Sequence, residues 1–95
     1  MNTQRTPVFY MANLGAEVTR AISLREKGNM QSAQDSISRA FLIIEKVLSF
    51  EEMKPRTEEI NILKSVLESL VSDNFSSRES ENLKNYFYPF ASRLV

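Results

Sequence analysis

The chain of 95 residues contains no cysteine and no histidine. Without cysteine it can form no disulfide and no thiolate zinc site, and without histidine it lacks the commonest general base and metal ligand. The adjacent acidic pairs Glu51-Glu52 and Glu58-Glu59 cannot face each other as a catalytic dyad on a helix. No glycine-rich phosphate loop or nucleophile-elbow motif is present. We therefore predict a protein that is not an enzyme, with no catalytic, cofactor-binding or metal-binding residue and no small-molecule substrate.

The chain also lacks an excess of either charge, because its 12 basic residues balance its 12 acidic residues. General binders of nucleic acid or of membrane surfaces usually carry a basic excess. Apolar runs are short, such as residues 41–44, so none could cross a membrane. The polar start, Met1 to Pro7, has no apolar core of a signal peptide. We expect a cytoplasmic protein that contacts no membrane, and the balanced charge disfavours a nucleic-acid partner.

Only two glycines and three prolines interrupt the chain, and apolar residues otherwise recur at helical spacing. Thr6-Pro7 is typical of a helix start. Lys27-Gly28-Asn29 is typical of one helix ending and the next beginning, which predicts a tight antiparallel hairpin. We predict one all-α domain over residues 1–95, with residues 1–6 flexible. The domain is an antiparallel helical bundle of about four helices, at residues 7–27, 30–49, 57–72 and 77–94.

Local signals also define the later helices. Thr57 is the predicted N-cap of the third helix, and Ser76 with Glu79 forms the S-x-x-E capping box of the fourth. Residues 72–74 are a predicted turn. Pro89 lies inside the last apolar stripe, so we expect that helix to be kinked or broken near it. Gly15, inside the first stripe, predicts close approach of a neighbouring helix rather than a hinge.

Two sets of residues are candidates for an interface. Leu42 and Ile43 add a second apolar face to the second helix, which predicts either a central helix with partners on two sides or contact with another subunit. The second set consists of aromatic residues outside the main stripes. In a small bundle these rings either seal the ends of the core or form an interface. Together the candidate interface residues are Phe9, Tyr10, Leu42, Ile43, Phe50, Tyr86 and Tyr88.

Several elements of residues 11–48 resemble the flagellin export chaperone FliS family. They are Leu14-Gly15-Ala16, Lys27-Gly28-Asn29, Ala33, Ile37, Arg39-Ala40 and Ile43-Ile44. The resemblance implies a helical-bundle chaperone that holds an extended or helical secretion substrate against its apolar surface. The first helix is shorter between its glycines than in that family, and the closing Tyr-Pro-Phe run has no counterpart. The matched positions are packing positions, so the resemblance assigns no binding residue.

The sequence favours a non-enzymatic protein-interaction module that either self-associates as a homo-oligomer or docks a helix of a partner protein. An export chaperone of the FliS type is one specific form of such a module. The alternative from another class is a nucleic-acid-associated helical regulator. Clustering of basic residues on one face would favour that alternative. The two basic sets are Arg20, Arg25 and Lys27 on the first hairpin, and Arg78, Lys84 and Arg93 on the last helix.

Overall fold

The computed structural model describes residues 5–72 and 75–92. Within that part of the chain the secondary structure is helical throughout, and the predicted all-α bundle of four helices is confirmed. The elements in order are α1 (Pro7–Glu26), α2 (Met30–Leu48), a 3₁₀ helix (Glu51–Arg56), α3 (Thr57–Ser69) and α4 (Ser77–Ser92). Residues 1–4, 73–74 and 93–95 lie outside the described residues, as do the expectations made for them.

The α1–α2 hairpin is built from the capping residues expected from the sequence. The Thr6 hydroxyl accepts a hydrogen bond from the Phe9 N–H at 3.3 Å, and the Asn29 side chain accepts one from the Ser32 N–H at 3.3 Å. Gly28 has a φ of 80°, a left-handed conformation that only glycine adopts without strain. The Gly28 and Asn29 N–H groups donate at 2.9 Å to carbonyls of the last turn of α1, which makes this a Schellman motif.

The connection between α2 and α3 differs from the sequence expectation. Glu51–Arg56 forms a 3₁₀ helix that runs directly into α3, and its Met53 is buried in the core. Arg56 is therefore the N-cap residue, and it makes no side-chain cap hydrogen bond. The prediction that Thr57 caps α3 is wrong, because Thr57 already has helical dihedral angles as the first residue of α3. A cap residue has non-helical dihedral angles, which Thr57 does not have.

The fourth helix begins at the predicted capping box and continues through Pro89. The Glu79 N–H donates to the Ser76 hydroxyl at 3.2 Å, and the Ser76 N–H donates to the Glu79 carboxylate at 3.3 Å. Of the two outcomes predicted near Pro89, the break is wrong, since α4 is continuous to Ser92, and a kink stays a prediction. Proline leaves only the Asn85 carbonyl without its helical donor, and Asn85 is exposed to water, which can replace that donor.

The core lies between α1 and α2 and is closed by one helix on each side. The second helix packs on α1 and α3, while α1 packs on α2 and α4. This confirms the prediction that α2 has partners on two sides. At the α1–α4 contact, a Cβ atom on Gly15 would lie 2.9 Å from the Phe87 Cβ, so the close approach expected at Gly15 is present. The largest fully buried apolar side chains are Met11, Leu14, Val18, Ile22, Ile44, Val47, Ile60, Leu67 and Leu70.

Candidate functional site

The clearest candidate site is an open groove along the outer side of the α1–α4 contact, which we call the α1/α4 groove. Its volume is about 630 Å³. The α1 wall presents small side chains, the α4 wall presents two aromatic rings, and cationic side chains lie along both walls. The small residues are Ala12, Ala16, Thr19 and Ser23; the rings are Phe87 and Tyr88; the cations are Arg20, Lys27 and Lys84.

The local sequence explains why the α1 wall is shallow. Ala12, Ala16, Thr19 and Ser23 are spaced by four, three and four residues, which places them on one face of a helix. This face lies beside the buried stripe of α1 rather than within it, so the small side chains leave space above them. Tyr88 borders that space with 72% of its surface exposed. The groove is therefore lined mainly by apolar atoms and is accessible to side chains of another molecule.

The charge around the α1/α4 groove is positive. No acidic residue lines it among the described residues, and three cations do. Arg20 contacts the Glu17 carboxylate at 2.9 Å, but Arg39 of α2 also contacts Glu17, at 3.0 Å. One carboxylate shared by two guanidinium groups leaves a net positive charge there. Lys27 and Lys84 make no ion pair within residues 5–72 and 75–92.

A second polar cluster joins α3 to α4. The Arg56 guanidinium contacts both oxygens of the Glu59 carboxylate, at 2.6 and 3.3 Å, and the Tyr86 hydroxyl donates to Glu59 as well. The hydrogen bonds from Arg56 and then from Tyr86 lower the pKa of Glu59. Burial, followed by the bond to Glu59, raises the pKa of Tyr86 above that of a free phenol. A phenol that keeps its proton this firmly is unsuited to proton transfer near neutral pH, so the cluster acts as a tie between helices.

A smaller groove, of about 410 Å³, lies between α3 and α4 beside this tie. Leu63, Val66 and Leu83 line it, and Ile62 stands at its edge with 62% of its surface exposed. Of its acidic residues, Glu59 is paired with Arg56, whereas Glu79 accepts hydrogen bonds from Ser76 and keeps its negative charge. This groove therefore lacks the set of like charges that lines the α1/α4 groove.

The predicted aromatic interface residues do not form one surface. Phe9, Tyr10 and Phe50 meet at one end of the bundle, with ring centroids 5.4 Å apart for Phe9–Tyr10 and 5.7 Å for Tyr10–Phe50. All three are half-buried, and Lys46 approaches the Tyr10 ring. Their placement is the one expected of rings that seal the end of a core. An interface role for them stays a prediction.

The other predicted interface residues are distributed over three places. Leu42 faces solvent alone on α2 with 67% of its surface exposed, whereas Ile43 packs against the core. Tyr86 is half-buried and bound to Glu59. Only Tyr88 borders the α1/α4 groove. Exposed Ile62 and the small-residue face of α1 were missed, although helical spacing of the small residues was visible in the sequence.

The basic sets named from the sequence are also divided. The Arg25 guanidinium donates to the Leu70 carbonyl at 2.9 Å and to the Phe75 carbonyl at 3.4 Å, so it links α1 to the connection before α4. Arg93 lies outside the described residues. Arg20 and Lys27 from the first set and Lys84 from the second do share one groove. The positive surface therefore combines two cations of the first predicted set with one of the second.

Comparisons with protein-family models, with curated proteins and with solved structures found no match. The resemblance to the FliS family stays a prediction on this basis. Within the described residues, no group of three or more acidic side chains is arranged to hold a metal ion. No helix in that same part of the chain has the length and apolar character needed to cross a membrane.

Proposed function

We propose that the protein is a non-enzymatic interaction module whose α1/α4 groove docks an amphipathic helix of a partner protein. The observation that supports the proposal is that this groove is open and apolar, with small residues on its α1 wall and the exposed Tyr88 at its edge. Apolar surface that remains accessible in a monomer commonly marks a contact site. Helix-in-groove binding is a common way of covering such a surface.

The dimensions of the groove suit a helix. The α1 residues that line it extend from Ala12 to Lys27, a rise of roughly 22 Å at 1.5 Å per residue. A partner helix of about four turns would cover that length. Small residues such as Ala12 and Ala16 allow two helices to approach to the short end of the usual interaxial range, about 8 Å. The partner helix would thus pack against both α1 and α4 as a fifth helix of the bundle.

The test uses a peptide probe of about 18 residues with a leucine and alanine face and glutamine on its other positions. We expect ¹⁵N-labelled protein to show amide shifts at Ala12, Ala16, Thr19 and Ser23 during titration. Ala16→Trp should remove these shifts, because the indole would fill the groove. Ser38→Trp, at an exposed position of α2, is the matched control and should leave them in place. Shifts confined to the far side of the bundle, or insensitive to Ala16→Trp, would refute the proposal.

Self-association is the second form of interaction predicted from the sequence, and the exposed Leu42 is the observation that supports it. Leu42 stands without a second fully exposed large apolar residue on α2, so the support is narrower than for the groove. Light scattering of the wild type and of Leu42→Ser measures this directly. A dimer that dissociates in Leu42→Ser would favour the oligomer over the partner helix.

A further inference from the structure

We infer that the docked helix is acidic along both flanks of its apolar face. The inference rests on the proposed function and adds the chemistry of the partner. It arises from the way cations are placed around the α1/α4 groove. Arg20 and Lys27 stand on the α1 wall, and Lys84 stands on the α4 wall, so a helix in the groove would meet positive charge on both sides.

Lys27 and Lys84 differ from most other cations of the described residues because they have no contact partner there. Every other described arginine or lysine except Arg78 contacts a carboxylate, a carbonyl or an aromatic ring within the chain. Lys54 and Arg56 form ion pairs, Arg25 binds carbonyl oxygens, and Lys64 lies over Phe41. Lys27, Arg78 and Lys84 alone have no such contact in residues 5–72 and 75–92, and two of these three line the groove. The groove thus contains two of the three cations that have no contact partner among the described residues.

The spacing of the cations specifies the pattern on the partner. Arg20 and Lys27 are seven residues apart, which is two turns or roughly 10 Å along α1. A helix lying along the groove would match them with two acidic residues at i and i+7 on one flank. Lys84 approaches from α4 and would meet a carboxylate on the opposite flank. The expected partner therefore has three acidic positions around one apolar stripe.

Nucleic acid would also be attracted by cations, but the site suits it less well. Proteins that bind duplexes by phosphate contacts neutralise several phosphates, commonly about six to ten. Only three cations line this groove, and one of them shares a carboxylate. Its floor of alanine and aromatic side chains offers little hydrogen bonding to a phosphate backbone. An acidic amphipathic helix satisfies both the apolar floor and the cationic walls.

The experiment compares three peptides with the same apolar face and with glutamate, glutamine or lysine on the flanks. We expect the glutamate peptide to bind about tenfold more tightly than the glutamine peptide at about 50 mM salt, and this difference to shrink at about 300 mM. The double variant Lys27→Gln/Lys84→Gln should lose most of this preference, because only Arg20 then remains to attract the glutamate flanks. The matched control Lys64→Gln/Arg78→Gln removes the same charge outside the groove and should keep the preference.

The outcomes separate this inference from the proposed function. Equal affinity of the wild type for the glutamate and glutamine peptides, with shifts in the groove for both, would overturn the acidic partner and leave the docking proposal intact. Absence of groove shifts with all three peptides would overturn both. A DNA duplex of about 20 base pairs is the remaining probe. Tighter binding of that duplex than of the glutamate peptide, lost in Lys27→Gln/Lys84→Gln, would overturn the inference in favour of a nucleic-acid partner.

Discussion

Replacing Gly15 with alanine adds one methyl group at the point where α1 meets α4. The added Cβ would lie 2.9 Å from both the Phe87 Cβ and Cγ atoms and 3.1 Å from Cδ1. Real Cβ atoms essentially never approach so closely. Because the Phe87 Cβ is attached directly to the backbone of α4, a change of side-chain rotamer cannot relieve the contact. The helix itself has to move away from α1.

Two terms of opposite sign decide the effect of Gly15→Ala on the free energy of unfolding. Alanine is favoured over glycine in a helix interior by about 1 kcal/mol. Overpacking a well-filled contact usually costs about 1–3 kcal/mol, and the fixed position of the Phe87 Cβ places this site at the upper end. We therefore expect a net destabilisation of about 1–2 kcal/mol, the difference between these terms.

Urea unfolding followed by circular dichroism at 222 nm measures this difference. With a slope near 1 kcal/mol per molar, usual for small domains, the midpoint should fall by about 1–2 M. Ala16→Gly is the matched control. Ala16 is adjacent to Gly15 and exposed, so this substitution measures only the difference in helix propensity between alanine and glycine. A midpoint that rises in Gly15→Ala by as much as it falls in Ala16→Gly would refute the close contact between α1 and α4.

Four further substitutions test the turn, the helix cap and the contact between α3 and α4. Gly28→Ala should destabilise by about 1 kcal/mol in urea, because the φ of 80° is strained for alanine although nothing lies within 4 Å of the new Cβ. Ser76→Ala should cost about 1 kcal/mol by removing the cap of α4, with the loss of helix visible by circular dichroism. Tyr86 should ionise at higher pH than free tyrosine in an absorbance titration at about 295 nm, with Tyr86→Phe identifying its signal. The raised pKa of Tyr86 adds to the free energy of unfolding below about pH 10, and this contribution is lost as the pH rises further. The lowered pKa of Glu59 adds to the free energy of unfolding above about pH 4.5, and this contribution is lost on acidification. Glu59→Gln should therefore weaken the pH dependence of the free energy of unfolding in acid.

The features that were predictable from the sequence depend on neighbouring residues. Gly28 and Asn29 define the hairpin through hydrogen bonds that span at most five residues, and Ser76 and Glu79 define the start of α4 in the same way. Such motifs form wherever the backbone around them is free to adopt the cap geometry. Thr57 failed as a cap because the preceding segment, anchored by buried Met53, is itself helical.

The features that were missed depend on which helices become neighbours. The spacing of Leu42 and Ile43 indicated a second apolar face, but α3 covers α2 in a way that leaves one of them in solvent and packs the other against the core. Pro89 is likewise accommodated by its surroundings, because Asn85, whose carbonyl loses its helical donor, is an exposed residue. The spacing of apolar side chains predicts how much of a helix surface must be buried, but it does not identify the helix that covers each face.

The α1/α4 groove arises from the small residues along α1. Gly15 brings Phe87 so close that α4 lies against the stripe of α1, while Ala12 and Ala16 on the adjacent face are too small to fill the space this leaves outside. Larger residues there would close the groove and bury Tyr88. The stability of the α1–α4 contact and the accessibility of the groove therefore share a cause, since both follow from small residues on α1. A change at Gly15 that moves α4 should thus alter peptide binding in the groove as well as the unfolding midpoint.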